Sequence, residues 1–291
     1  MGRGEGNAKM QTSEARRAVA AAMSSAAGLG LRADDAIVLN DSNRLVVRLM
    51  PCDVVARIAP MAYRASAELE VEVARRLAET DSPIAALEPR VEPCVYVRDG
   101  FVIDLWTYYE PLPREELRPA DYADALKRLH AGMRKIDVTS RHFMDRVADT
   151  EQWVASREAT PELPDADREF LADTLRSLRR SISDRRAPEQ LLHGEPHPWN
   201  VLSTKSGPLF IDFENAVRGP VEYDLGWVPE EVSQHYPDAD RELLDQCRGL
   251  MIAIVAASHW RWYDQHPGNT GRAQWVRALR AGPPWPAIDG V

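Results

Sequence analysis

Between His193 and Asp212, in "HGEPHPWNVLSTKSGPLFID", acidic, amide and imidazole side chains gather around prolines and a glycine. His193, Glu195 and His197 invite a zinc reading. A metalloprotease helix needs HExxH, with the glutamate directly after the first histidine. Here Glu195 stands two positions on and Pro196 breaks any regular helix. Phosphoryl transfer asks for a different set: a carboxylate to orient and deprotonate an acceptor hydroxyl, an amide oxygen and a carboxylate for Mg²⁺, and a cation for nucleotide phosphates. Glu195 and Asn200 lie five apart in an irregular loop, and Asp212 follows in "IDFE" at the end of the next hairpin. Arg57, in the middle of "VVARIA", and Glu70, on the segment after it, offer the cation and its partner. Taken alone, the same residues also fit a structural polar network, and Arg57 with Glu70 fits a surface pair of little energetic worth.

These residues must be carried by two kinds of element. "AIVLN", "RLVVRL" and "VVARIA" are β-branched runs separated by "DSN" and "PCD", the pattern of a three-stranded antiparallel meander. In "YRASAELEVEVARRLAET" Leu69, Val73 and Leu77 recur every four residues and predict a helix that stops before "DSP". "CVYV" and "FVIDLW" resume the strands through Asp99-Gly100, a tight-hairpin signal. After residue 107 the rhythm is helical: Tyr122, Leu126, Leu129, Met133 and Ile136 form one apolar stripe, and Leu171, Leu175, Leu178 and Ile182 another. Two strands, "NVLS" and "LFIDF", are expected around the turn "KSGP", and a buried helix over residues 241–262. The fold class is therefore α+β, with residues 1–107 strand-rich and 108–291 mainly helical; residues 1–12 and "GPPWPAIDGV" read as poorly ordered tails.

With 291 residues the chain exceeds one ordinary hydrophobic core, so two lobes with a ligand cleft between them are expected. A formal charge of −9 opposes a nucleic-acid partner, and apart from the alanine-rich "RRAVAAAMSSAAGLGL", read as a surface helix, no apolar run nears membrane-spanning length. Cys52, Cys94 and Cys247 are scattered without a CxxC pair, which fits a reducing cytoplasm and a monomer or homodimer. Walker-type GxxxxGK[ST] and esterase-type GxSxG are absent, and "GRGEG" follows no strand. Residues 222–245 carry eight acids against one base, either a solvated face or a wall attracting a cationic substrate. Trp260, Trp262 and Tyr263 fit core packing at a helix end better than a stacking platform.

"HGEPHPWN", then "IDFE" and "EYDLG", resembles the aminoglycoside phosphotransferase and choline kinase superfamily, whose pattern is HGDxHxxN, a DF or DW pair and a later DLA. "NDSNRLVVRL", "WTYYEP" and "LKRLHA" extend the likeness over residues 35–262. The resemblance implies a bilobal protein-kinase-like fold and an ATP- and Mg²⁺-dependent kinase. In that frame Glu195 stands at the catalytic base, Asn200 and Asp212 at the metal ligands, and Arg57 and Glu70 at the phosphate-anchoring pair. Ser42 and Asn43 would lie over the phosphates, the backbone from Trp106 to Tyr108 would meet the adenine, and His193 and Asp224 would brace the loop. The substrate implied is a small, cationic, hydroxyl-bearing molecule of aminoglycoside type; a metabolic amino-alcohol or sugar kinase, or a nucleotide-binding pseudoenzyme, is the alternative. Three departures stand out: Glu195 where the family has aspartate, Arg57 where it has lysine, and a nucleotide loop without glycine.

Overall fold

Alternation along the first β-branched runs sorts their side chains onto two faces. In the computed structural model, which describes residues 12–42, 44–113, 117–261 and 272–286, these runs become strands β1 (Ala33–Asp41), β2 (Leu45–Pro51) and β3 (Val54–Pro60). With β4 (Tyr96–Arg98) and β5 (Phe101–Thr107) they make a five-stranded antiparallel sheet ordered β1-β2-β3-β5-β4. Asp99 and Gly100 turn between β4 and β5 with φ of 49° and 86°, the pair of positive angles a two-residue hairpin requires.

Leu45, Val47, Leu49, Val54, Ala56 and Ile58 share one buried face of the sheet, and helix α1 (Thr12–Gly28) covers it with Ala18, Ala21, Ala22 and Ala26. The alanine-rich segment is thus a lid on the sheet rather than a surface helix, its small side chains letting the backbones approach. Arg57 belongs to the alternate set of β3 and points away from α1, toward the side where α2 (Arg64–Leu77) lies. On α2 the buried stripe is Ala67, Val71, Val73, Ala74 and Leu77, and Glu70 sits within it, completely buried.

Residues 83–87 tie the sheet to the rest of the chain. Ile84 bridges Phe210 and Leu87 bridges Trp106; Phe210 N donates to Pro83 O at 2.8 Å, and Thr107 N to Ala86 O at 2.9 Å. Beyond, helix α3 (Pro119–Met133) buries Tyr122, Leu126, Leu129 and Met133, while Ile136 falls past its end. The short strand β6 (Arg141–His142) leads into α4 (Phe143–Ala155), started by a reciprocal cap between His142 and Asp145, and α5 (Asp165–Asp184) packs on α4 with Leu171, Leu175 and Ile182. Strand β7 (Gln190–Leu192), the hairpin β8 (Val201–Thr204) and β9 (Gly207–Phe210), and β10 (Val217–Gly219) follow, β10 lying between β6 and β7.

The second strand of the hairpin ends at Phe210, so "ID" lies beyond it and not within it. Short helices α6 (Val221–Leu225) and α7 (Glu230–Ser233) precede α8 (Arg241–Ser258), which ends four residues before the sequence expectation and buries twelve of its residues, each large apolar side chain contributing about 1.5–3 kcal/mol. Helix α9 (Arg272–Ala281) packs Trp275, Val276 and Leu279 onto the same core. The three cysteines are unpaired, and among the described residues no helix is long and apolar enough to cross a membrane. Residues 1–11 and 287–291 of the tails, with Asn43, Trp262 and Tyr263, fall outside the described residues, whereas Trp285 of the expected C-terminal tail packs on the helical core.

Candidate active site

The loop after β7 is fixed by one buried carboxylate. Asp224, on α6, accepts from His193 N at 3.0 Å and Gly194 N at 2.8 Å, and its Oδ2 lies 2.9 Å from His130 Nε2 of α3. His193 Nε2 donates to Ile211 O at 2.9 Å, and burial pushes this imidazole below its ordinary pKa, which favours the neutral ring. Both bracing residues thus sit where a rigid loop needs them. Gly194 adopts φ +92°, and a Cβ there would stand 1.9 Å from Asn215 O. That close approach sets Glu195 beside Asn215, whose Nδ2 donates to Glu195 Oε2 at 2.9 Å. The other Glu195 oxygen is ion-paired with Arg146 of α4.

Asn200 Nδ2 donates to Glu195 O at 2.9 Å, which turns the amide nitrogen inward and leaves the amide oxygen as the available donor atom for a cation. Ile211 N donates to Asn200 O at 3.0 Å, so the hairpin returns Asp212 to the same loop. Asp212 then takes a left-handed conformation, φ 71° and ψ 60°, before a 3-10 turn over Phe213–Asn215. For a non-glycine residue this is an uncommon backbone state of the kind concentrated at functional sites.

Arg57 joins the sheet to this turn. It is ion-paired with Glu70, and its Nη2 lies 2.7 Å from Asp212 Oδ1. Glu70 Oε1 also accepts from Phe213 N at 3.2 Å. Burial works to raise Asp212, but the Arg57 charge and hydrogen bond outweigh it and hold this carboxyl below its usual range. For Glu70 burial prevails over both neighbouring arginines and pushes it up to about 8.

Five participants escaped the sequence reading. Arg44, only 3% exposed, places Nη1 2.7 Å from Glu70 Oε2 and 3.7 Å from Asp104 Oδ2, and its Nη2 pairs with Glu214. Two arginines and four carboxylates (Glu70, Asp104, Asp212, Glu214) therefore share one buried cluster. Burial and the Asp212 charge push Glu214 upward. Arg146 and Asn215 complete the set around Glu195. Traces were present: Asp104 interrupts an otherwise apolar strand, and Arg146 falls on the buried stripe Phe143, Val147, Thr150 and Val154 of α4.

The residues expected on the nucleotide side are placed as follows. Ser42 is exposed at the β1–β2 turn, where its Oγ accepts from Asn40 Nδ2 at 3.1 Å; the inward residue of the turn is Arg44. Trp106 is paired with Val55 of β3 and bridged to Leu87 on its other flank, and Thr107 N is taken by Ala86 O. Of the backbone expected to meet a base, Trp106 and Thr107 N are therefore engaged within the fold. The Tyr108 ring lies beneath the Arg48 guanidinium at 3.7 Å, and its hydroxyl donates to Glu110 at 2.8 Å.

The acidic wall expected over residues 222–245 is largely consumed by the fold. Asp224 braces the loop, Glu222 accepts from Asp240 N at 3.0 Å, and Asp240 caps α8. Glu230 pairs with Arg248, Glu242 with Arg185, and Asp245 accepts from Trp285 Nε1 at 2.7 Å. Trp260 packs against the helical core. Among the described residues no group of three or more His, Cys, Asp or Glu could hold a metal. Asn200 and Asp212 instead offer two hard oxygen donors, which suits Mg²⁺, an ion commonly held by one or two protein ligands together with substrate phosphates.

A family model described as the phosphotransferase enzyme family matches residues 33–276. Among solved structures, an aminoglycoside 2′-phosphotransferase in its GDP complex aligns with TM-score 0.67 and 15% identity over 93% of this chain and 99% of that one. A choline/ethanolamine kinase family protein from Mesorhizobium loti gives TM-score 0.62 and 19% identity over 94% and 96%. An amicoumacin kinase in complex with AMP-PNP and Ca²⁺ gives 0.66 and 11% over 84% and 88%. At such identities the likeness is one of fold, and it establishes the bilobal kinase-like α+β architecture. No curated protein matches the sequence significantly. With most of its length covered by the family model, the chain belongs to the phosphotransferase enzyme family.

Proposed function

We propose that the chain transfers the γ-phosphate of ATP, with Mg²⁺, to a hydroxyl of a small molecule, residues 1–107 forming the nucleotide-binding lobe and 108–291 the catalytic one. The observation that carries this reading is the bridge made by Arg57, which links Glu70 of α2 to Asp212 beside the loop that holds Asn200 and Glu195. A cation from the sheet is thereby joined to the turn that follows the loop carrying Glu195 and Asn200.

Arg57, braced by Glu70, would bind the phosphates, and Ser42 and the turn around it would lie over them. Tyr108 would begin the segment that meets the base. Asn200 and Asp212 would hold the metal, which when bound supplies charge neutralisation and alignment of the β- and γ-phosphates. Glu195 would accept the hydrogen bond of the acceptor hydroxyl and take its proton. A bond forms between the acceptor oxygen and the γ-phosphorus, the bond from that phosphorus to the β-bridging oxygen breaks, and ADP leaves with the electron pair. His193, Asp224 and Gly194 hold the loop still while this happens; fixed geometry of this kind is where most of the rate in phosphoryl transfer originates.

ADP release at saturating Mg-ATP tests the proposal. Turnover that depends on added acceptor and falls at least about 100-fold in Asp212→Ala supports it; undiminished turnover in that variant would sink it.

A further inference from the structure

We infer that the acceptor carries an oxyanion, a carboxylate or a phosphate, close to its reactive hydroxyl, and that Arg146 receives it. The inference rests on the phosphotransfer reading above and concerns the acceptor half of the same site.

Arg146 enters from α4 and pairs with Oε1 of Glu195, the group assigned to the acceptor hydroxyl. Its side chain keeps 27% exposure, and its guanidinium lies 5.2 Å from the ring centre of Trp227. A guanidinium has five N–H donors in a planar fork, and one carboxylate oxygen leaves several of them for a second anion.

The rest of the lining adds donors rather than acceptors. Trp227, 3% exposed, has Nε1 without a hydrogen-bond partner, and the hydroxyl of the fully buried Tyr223 interacts with the Arg146 guanidinium, which can only donate to it. Asn215 turns its amide N–H groups toward Glu195. An ammonium ligand needs acceptors, and here the Glu195 carboxylate is shared with Arg146 and Asn215. Of the eight acidic residues that were candidates for a cation-attracting wall, six serve as caps, braces or ion pairs: Glu222, Asp224, Glu230, Asp240, Glu242 and Asp245. The charge at the base is balanced, and the remaining N–H groups of the Arg146 guanidinium complement an oxygen-rich anion rather than a polyamine.

Calorimetric titration of the wild-type chain with Mg-ATP comes first and tests the phosphotransfer reading by itself. ADP release is then measured with glycerate and gluconate as carboxylates, glycerol 3-phosphate as a phosphate, glycerol and glucose as neutral counterparts, and choline and kanamycin as cations. The expected result is stimulation by a carboxylate or by the phosphate at least about 10-fold above its neutral counterpart, the responding arm identifying the oxyanion. In Arg146→Gln the KM for that acceptor rises about 10- to 100-fold, the loss that goes with one charge-assisted hydrogen bond, while the KM for ATP is unchanged. Arg146→Lys recovers part of the loss, and serves with the wild-type panel should Arg146→Gln fail to melt cooperatively. Preference for a cation, no response to any oxyanion in a chain that binds Mg-ATP, or an Arg146→Gln acceptor KM within about twofold of wild type would overturn the inference.

Discussion

Replacing Glu195 by aspartate, the residue found at this position elsewhere in the superfamily pattern, is expected to damage this protein rather than improve it. The substitution removes one methylene and withdraws the carboxylate by about 1.5 Å, one carbon–carbon bond. Asn215 Nδ2 now stands 2.9 Å from Glu195 Oε2, so the shortened side chain would leave it about 4.4 Å away, outside hydrogen-bond range. The contact with Arg146 opens by a similar amount, and a partly buried guanidinium loses its ion partner. A misplacement of about 1 Å costs on the order of 100-fold in rate, so kcat should fall by about that factor. The KM for ATP should hold, because Arg57, Glu70 and Asp212 are untouched. The broken polar contacts cost about 1–3 kcal/mol, which for a chain of this size lowers Tm by roughly 2–8 °C. Steady-state ADP release and a thermal melt of Glu195→Asp beside wild type read both quantities. Equal or higher turnover in Glu195→Asp would refute the reasoning, and a gain over a wild type without acceptor-dependent turnover would mark the natural chain as a nucleotide-binding protein whose base has drifted out of use.

Removal of Arg44 leaves Glu70, Asp104 and Glu214 buried with one cation fewer, so Arg44→Met should cost about 3–5 kcal/mol and lower Tm by roughly 5–10 °C, measured by calorimetric melting. Gly194→Ala places a methyl against Asn215 O in a backbone state that disfavours side chains; a loss of at least about 2 kcal/mol together with collapse of turnover is expected from paired melts and ADP-release assays. Burial holds the His193 imidazole below its ordinary value of 6.5, so the unfolded chain binds the proton first. That contribution to stability is present above pH about 6.5 and is lost as pH falls below it. His193→Gln should therefore show a smaller drop in Tm between pH 7.5 and 5.5 than wild type does; an equal drop assigns the pH dependence to other groups.

Much of the framework is legible from periodicity because each element obeys one dominant rule. Alternation in "RLVVRL" and "VVARIA" identifies two central strands, and Asp99-Gly100 announces its hairpin through two positive φ angles. The apolar stripe of α3 holds until Met133, where Ile136 no longer follows the helix. The loop residues were legible by a different route, since "HGEPHPWN" and "IDFE" carry chemistry in their residue types. What stayed hidden depends on pairings across long stretches of chain. Arg44 meets Glu70 over 26 positions, and Arg57 meets Asp212 over 155. No local rule says that an arginine at a β-turn will be buried beneath a helix, nor that Arg146 will find Glu195. Of the acids of residues 222–245, six are exposed, in keeping with a solvated face, while Glu222 and Asp224 are buried as braces, a role that a count along the chain does not reveal.

Calorimetric titration of the purified chain with ATP, in the presence of Mg²⁺ and again with the metal chelated, addresses the central claim most directly. Saturable one-to-one binding that weakens at least about 10-fold on chelation, and likewise in Asp212→Ala, is the expected result, since on the proposed reading that carboxylate would help hold the metal that accompanies the nucleotide. Binding of equal strength with and without metal, or no binding at all, would contradict it.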